Sequence, residues 1–296
     1  MGKHTLLLLA SMIFLSACSG SLRKDKSMTA EPSIERALDI ISHTAEGRIL
    51  IASVSKFPPR LEYSNTPENC HKFLANSRII YLPRDLKKSD TMLALKIAKV
   101  LYIYDMSVKT GLEQIISEEE ELATLLQARM AADLSFIPED FEGDFAKNTL
   151  NEFCAYVMEG SHRAMETARN TALSDEPACL RPLETMNSVK GWLDKTKEAM
   201  TDESKFFQLL YERDLRKVER GILSRADAIK NEARIKALPR YDIYRFQREF
   251  YEIQTDVLAK IQKTYMEELE KDRKWRLARQ SDVERLQLDF SQTCEY

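Results

Sequence analysis

The chain predicts a mainly α protein, with a small α+β N-terminal region of about three short strands, then a helical bundle with a long antiparallel helical hairpin. Three observations lead there. Glycine and proline number only 8 and 9 in 296 residues, few for a protein of hairpins and tight turns. The good strand candidates all lie before residue 85. Beyond it, apolar residues recur every three or four positions, the period of one helix face.

Taken in order, Ile34, Leu38 and Ile41 are spaced as on a helix over Ile34 to Thr44, which Gly47 closes. Ile49 to Val54 is a β-branched run that reads as a strand, ended by Pro58-Pro59. Arg60 to Ser64 is a second strand candidate, and Arg78 to Leu82 a third, stopped by Pro83. Ser89-Asp90 can cap a helix from Thr91 to Tyr104, with Met92, Leu93, Ile97, Val100, Leu101 and Tyr104 on its apolar side. Glu118 to Leu134 is a helix whose acidic first turn suits the positive end of the dipole. Phe145 to Thr171 is a third long helix, carrying Phe153, Tyr156, Val157 and Met165. The breakers Asp175-Glu176-Pro177 and Arg181-Pro182 then divide an α+β region, 33–175, from a hairpin region, 176–296.

In the hairpin region Phe207, Tyr211, Leu215, Val218, Ile222, Ala226, Ile229 and Ala233 form one seam, a rod of about 40 Å at 1.5 Å per residue. Pro239 marks the turn. The second helix, Tyr241 to Gln280, carries Phe246, Phe250, Ile253, Val257, Ile261, Tyr265 and Leu269 at the same period. Each seam is expected to bury itself on the other.

The first 17 residues hold Lys3 and an almost unbroken apolar run from Leu6 to Leu15, the order of an export leader. The run falls short of the roughly 20 apolar residues that span a bilayer. Leu15-Ser16-Ala17-Cys18 resembles the lipobox of bacterial lipoproteins. The resemblance implies a diacylglycerol on the sulfur of Cys18, cleavage before it and acylation of the new amino terminus. Residues 18–32 are then a polar tether. Ser19 after the cysteine is similar to an outer-membrane address, facing the periplasm, if the host has two membranes. Losing Lys3 takes the 44 basic side chains to 43, against 47 acidic ones, so no basic footprint for nucleic acid exists. Membrane attachment therefore falls to the acyl chains.

Four further cysteines, Cys70, Cys154, Cys179 and Cys294, suit disulfides in an exported protein, with three possible connectivities. Cys154 with Cys179 would tie a helix to the loop after it, leaving Cys70 with Cys294; four buried thiols are the alternative.

Leu93-Ala94-Leu95-Lys96-Ile97-Ala98-Lys99-Val100-Leu101-Tyr102 resembles the helix of zincin metallopeptidases with its chemistry removed. Leu95 and Lys99 stand where that family has two histidines, and Lys96 where it has glutamate. Glu118-Glu119-Glu120-Glu121 resembles the acidic helix that supplies a third ligand, and the likeness spans residues 49–134. Leucine has no lone pair and protonated lysine repels a dication, so these slots hold no zinc. The resemblance implies a pseudoenzyme; without it, residues 91–104 are an amphipathic helix with Lys96 and Lys99 on its wet side. Glu159 and His162 have the ExxH spacing of di-iron bundles, near Glu152 and Glu166, and those bundles need further glutamates from partner helices. His43 and His71 are isolated. Cys154 and His162 are about 12 Å apart by helix rise, too far for a thiol–imidazole pair. No catalytic set is complete and no cofactor is implied.

The expected function is a lipid-anchored envelope protein that binds or scaffolds an unidentified envelope partner without catalysis. A divergent metal-dependent hydrolase and a purely structural lipoprotein are the alternatives.

Overall fold

A computed structural model describes residues 28–64, 72–74, 78–110, 117–141, 146–174 and 185–294. The described residues are mainly helical, with ten α-helices and one small sheet. Cys18, Cys70, His71 and Cys179 lie outside them.

Helix α1 (Pro32–Ser42) begins on a proline, whose fixed φ suits a first turn, and buries Ile34, Ala37 and Ile41. Helix α2 (Ala45–Val54) stands where the strand Ile49 to Val54 was expected. Its cap explains the correction. The Thr44 hydroxyl accepts the Gly47 amide at 2.9 Å, so Gly47 sits in the first turn of α2 and does not close α1. A Cβ at Gly47 would collide with the Ile41 carbonyl oxygen, so this tight corner requires glycine. Leu50 and Val54, four apart, are buried while Ile49 is exposed, so the helical period outweighs the β-branched composition.

The sheet has the order β1 (Arg60–Tyr63), β3 (Ile79–Leu82), β2 (Lys72–Leu74). Strands β1 and β3 are parallel, with Leu61 opposite Ile80 and Tyr63 opposite Leu82, and all four are buried. Strand β2, which the residue pattern did not announce, pairs antiparallel with β3. After a 3-10 turn at Arg84–Lys88, helix α3 (Asp90–Thr110) starts where the Ser89 hydroxyl accepts the Met92 amide.

Helix α4 (Ser117–Asp133) is followed by α5 (Lys147–Glu159) and α6 (Ser161–Ser174). The single helix expected from Phe145 to Thr171 is thus two, broken at Gly160, whose φ of +100° no L residue adopts readily. Next come α7 (Met186–Glu219), α8 (Arg225–Lys236), α9 (Pro239–Ala278) and α10 (Gln280–Asp289). The rod expected over Phe207 to Ala233 is likewise broken. Gly221, at φ +70°, closes α7 in a Schellman motif: its own amide bonds the Val218 carbonyl, and the Ile222 amide bonds that of Lys217. Ser224 then caps α8 by accepting the Asp227 amide at 3.0 Å.

The chain divides into two compact units, one of Met1–Met106, Ala123–Arg181 and Arg279–Tyr296, the other of Ser107–Leu122 and Pro182–Ala278. In the first, Phe136, Phe141, Phe153 and Phe290 form a buried aromatic cluster, with Phe153 and Phe290 centroids 5.1 Å apart. Cys154 of α5 forms a disulfide with Cys294, Cα atoms 5.5 Å apart. This corrects both expected pairings, Cys154 with Cys179 and Cys70 with Cys294. The cause is tertiary: α10 packs on α5, Phe290 enters the aromatic cluster and Gln287 donates to the Val157 carbonyl at 3.0 Å, which brings Cys294 to Cys154.

In the second unit Phe207 of α7 meets Tyr241 and Tyr244 of α9 at 5.0 and 5.5 Å. Arg240 stacks on Phe206 and forms two hydrogen bonds with Glu203, Trp192 meets Phe250 edge-on at 5.7 Å, and Met186 packs on Val257 and Ile261. Much of the two predicted seams stays outside this packing. Leu215, Ile222 and Ile229 are exposed, as are Phe246, Phe250 and Ile253, so the expectation that each seam buries the other fails at these positions. Among the described residues no helix is long and apolar enough to cross a membrane.

Candidate functional site

Helix α3 brings Leu95 and Lys99 one turn apart on a buried face, while Lys96 is half-buried. Lys99 is therefore not on a wet side, as the amphipathic reading expected. Its ammonium lies 3.4 Å from each carboxylate oxygen of Glu152 on α5, which itself is buried. A buried ammonium needs such a counter-charge, because desolvation otherwise costs several kcal/mol. Leu95 and Lys99 are thus a buried aliphatic side chain and a buried salt-bridged cation.

The acidic turn of α4 is buried too, and two of its carboxylates serve as acceptors. Glu118 receives the Met186 amide at 3.0 and 3.1 Å, and Glu121 receives the Tyr265 hydroxyl at 2.9 Å. Farther along α4, Arg129 is fully buried and grips Glu46 of α2 in two hydrogen bonds of 2.8 and 2.9 Å. Within the same unit a crevice runs past Leu95, Thr124, Gln127, Thr149, Glu152 and Phe153, too narrow for a water molecule. The hydroxyls of Thr124 and Thr149 and the amide nitrogen of Gln127 line it without a hydrogen-bond partner among the described residues.

The ExxH pair is taken apart by the fold. Glu159 ends α5, Gly160 breaks the helix, and His162 lies exposed in the first turn of α6. Arg163 sits between Glu159 and Glu166, at 3.5 and 2.8 Å, and its hydrogen bond holds the Glu166 carboxyl below the usual range. Glu152, committed to Lys99, is elsewhere. Among the described residues no group of three histidine, cysteine, aspartate or glutamate side chains is placed to hold a metal ion. Cys154 is oxidised in its disulfide, and His43 is exposed.

A different feature stands out on α9. Ile243, Phe246, Phe250 and Ile253, spaced three, four and three, lie on one line of the helix and are 59%, 68%, 39% and 60% exposed. Trp192 of α7, itself half-exposed, touches this line at Phe250. Asp242, Glu249 and Asp256 recur at seven-residue intervals along one flank, and Gln247 and Gln254 along the other. Sequence period marked Phe246, Phe250 and Ile253 as one apolar face, and read it as buried.

No protein-family model matches the chain, and neither a curated protein nor a solved structure is found similar to it. The α9 face presents a row of apolar side chains to water.

Proposed function

We propose that the protein is a lipid-anchored envelope protein acting as a non-catalytic binding or scaffold module. The observation that carries this reading is the exposed row Ile243, Phe246, Phe250 and Ile253 on a 40-residue helix. Monomeric soluble proteins rarely leave contiguous large apolar side chains in water without a use for them. The contacts of α7 with α9 run in reverse order along the two helices, from Phe207 with Tyr244 to Met186 with Ile261, which supports an antiparallel pair as the rigid support of that face.

Anchoring rests on the lipobox-like Leu15-Ser16-Ala17-Cys18. The Cys154–Cys294 disulfide is independent support, because disulfides persist in oxidising compartments such as the bacterial envelope and are rare in the cytosol. Absence of catalysis rests on Leu95, Lys96 and Lys99 in the slots that a zincin fills with histidine and glutamate. Replacing Cys18→Ala is expected to release the protein from membranes or leave an uncut precursor in a fractionation and intact-mass experiment. Processed, still membrane-bound protein would refute the anchor.

A further inference from the structure

We infer that the α9 face docks an amphipathic helix of another protein that carries basic residues along one edge; the inference deepens the binding role proposed above and rests on it. Helical register supplies the argument. With Ile243 at a heptad a position, Phe246 falls at d, Phe250 at a, Ile253 at d and Val257 at a, an uninterrupted coiled-coil seam. Val257 is covered by Met186 within the chain, and the four preceding seam residues are exposed.

The flanks differ in charge. All three g positions are acidic, Asp242, Glu249 and Asp256, and the e positions are Gln247 and Gln254. At 100° per residue the acidic line lies on the far side of the seam from Tyr244, which packs on Phe207. It therefore forms an outer rail, while Trp192 and the glutamines form the inner edge. Asp242 and Asp256 make exposed pairs with Arg245 and Lys260 one turn away, which are weak and exchangeable, and Glu249 between them is bonded to no cation among the described residues.

A second copy of this chain gains no charge attraction along the seam. Antiparallel self-pairing sets Glu249 against Glu249 and Asp242 against Asp256, and parallel self-pairing sets the rail against neutral glutamines. A helix with lysine or arginine facing the rail gains attraction along three positions and covers the apolar row at once.

The test uses the full chain in detergent and a labelled synthetic helix of about three heptads, with leucine at a and d and lysine at e and g, beside a twin carrying glutamate for lysine. Anisotropy titrations at about 0.1 M salt are expected to show the lysine helix bound about tenfold or more tightly than its twin. Phe246→Asp is expected to weaken the lysine helix by about tenfold or more, although it adds a negative charge that would strengthen unspecific attraction. Glu249→Lys should narrow the preference between the two helices.

Equal binding of the twins, no binding of either, or lysine-helix binding untouched by Phe246→Asp would overturn the proposal. So would a dimer of the full chain dissolved by Phe246→Asp, which assigns the face to a second copy. Phosphatidylcholine vesicles that bind the Cys18→Ala chain through Phe246 would overturn it too, assigning the face to lipid. None of these readouts depends on acylation, so failure of the anchor leaves the docking result standing on its own.

Discussion

The two compact units spend their side chains in opposite ways. The unit holding α1, α2, the sheet, α5 and α10 buries charge and answers it: Arg129 with Glu46, Lys99 with Glu152, each pair buried. It adds a disulfide between residues 140 positions apart and an aromatic cluster around Phe153 and Phe290. The unit holding α7, α8 and α9 leaves Ile222, Ile229, Ile243, Phe246 and Ile253 in water, its ion pairs mostly exposed ones between residues three or four apart. The first unit exposes single apolar side chains on separate segments, Ile49, Phe57, Ile137 and Leu288; the second exposes a row of them along one face of α9.

The sharpest way to break that comparison is at Arg129. Arg129→Ala removes two charge-assisted hydrogen bonds from the buried Glu46 carboxylate, and such a loss costs about 3–5 kcal/mol. Denaturant unfolding followed by far-ultraviolet ellipticity measures it. The double replacement Arg129→Met with Glu46→Leu should regain most of the loss, since paired charges replaced together by apolar groups of similar volume are often neutral. A single replacement costing under about 1 kcal/mol would show that the buried pair does not hold this unit together.

Next in size is the disulfide. Cys154→Ser with Cys294→Ser is expected to cost about 2–4 kcal/mol, because the reduced chain regains the freedom of a long loop. Proteolysis of the unreduced protein with mass spectrometry should yield the Cys154 and Cys294 peptides joined. Recovery of Cys154 joined to Cys179 would remove the link between α5 and the C-terminal helix on which the first unit's closure depends.

Local signals made much of this fold legible and non-local ones did not. Helices α3 and α4 follow from apolar period, the Ser89 cap and the acidic first turn of Glu118 to Glu120. The run Ile49 to Val54 misled because composition favours a strand, while the Thr44 cap that decides for helix is one hydroxyl three residues from the amide it binds. Gly160 and Gly221 each end a helix through a single positive φ, which a periodicity count over a long window passes by. The period alone puts Lys99 in solvent because its partner Glu152 is 53 residues away, and local spacing carries no sign of Cys294 because its approach to Cys154 depends on how α10 packs. For the seam of α9, period identifies a face but carries no record of what covers it.

That seam supplies the smallest expected effect and the most discriminating one. Phe246→Ser and Ile253→Ser remove exposed apolar side chains, and surface replacements away from special features stay within about 0.5 kcal/mol. In the same unit Phe207, buried against Tyr241 and Tyr244, should lose about 3–5 kcal/mol when replaced by alanine. Measured side by side by thermal unfolding, the three variants separate a side chain used inside the unit from side chains held for something else. If Phe246→Ser cost as much as Phe207→Ala, the face would already be covered by the chain itself, and the contrast between the two units would disappear. If it costs nothing and still abolishes capture of the lysine helix, stability and binding are carried by different faces of the same helix.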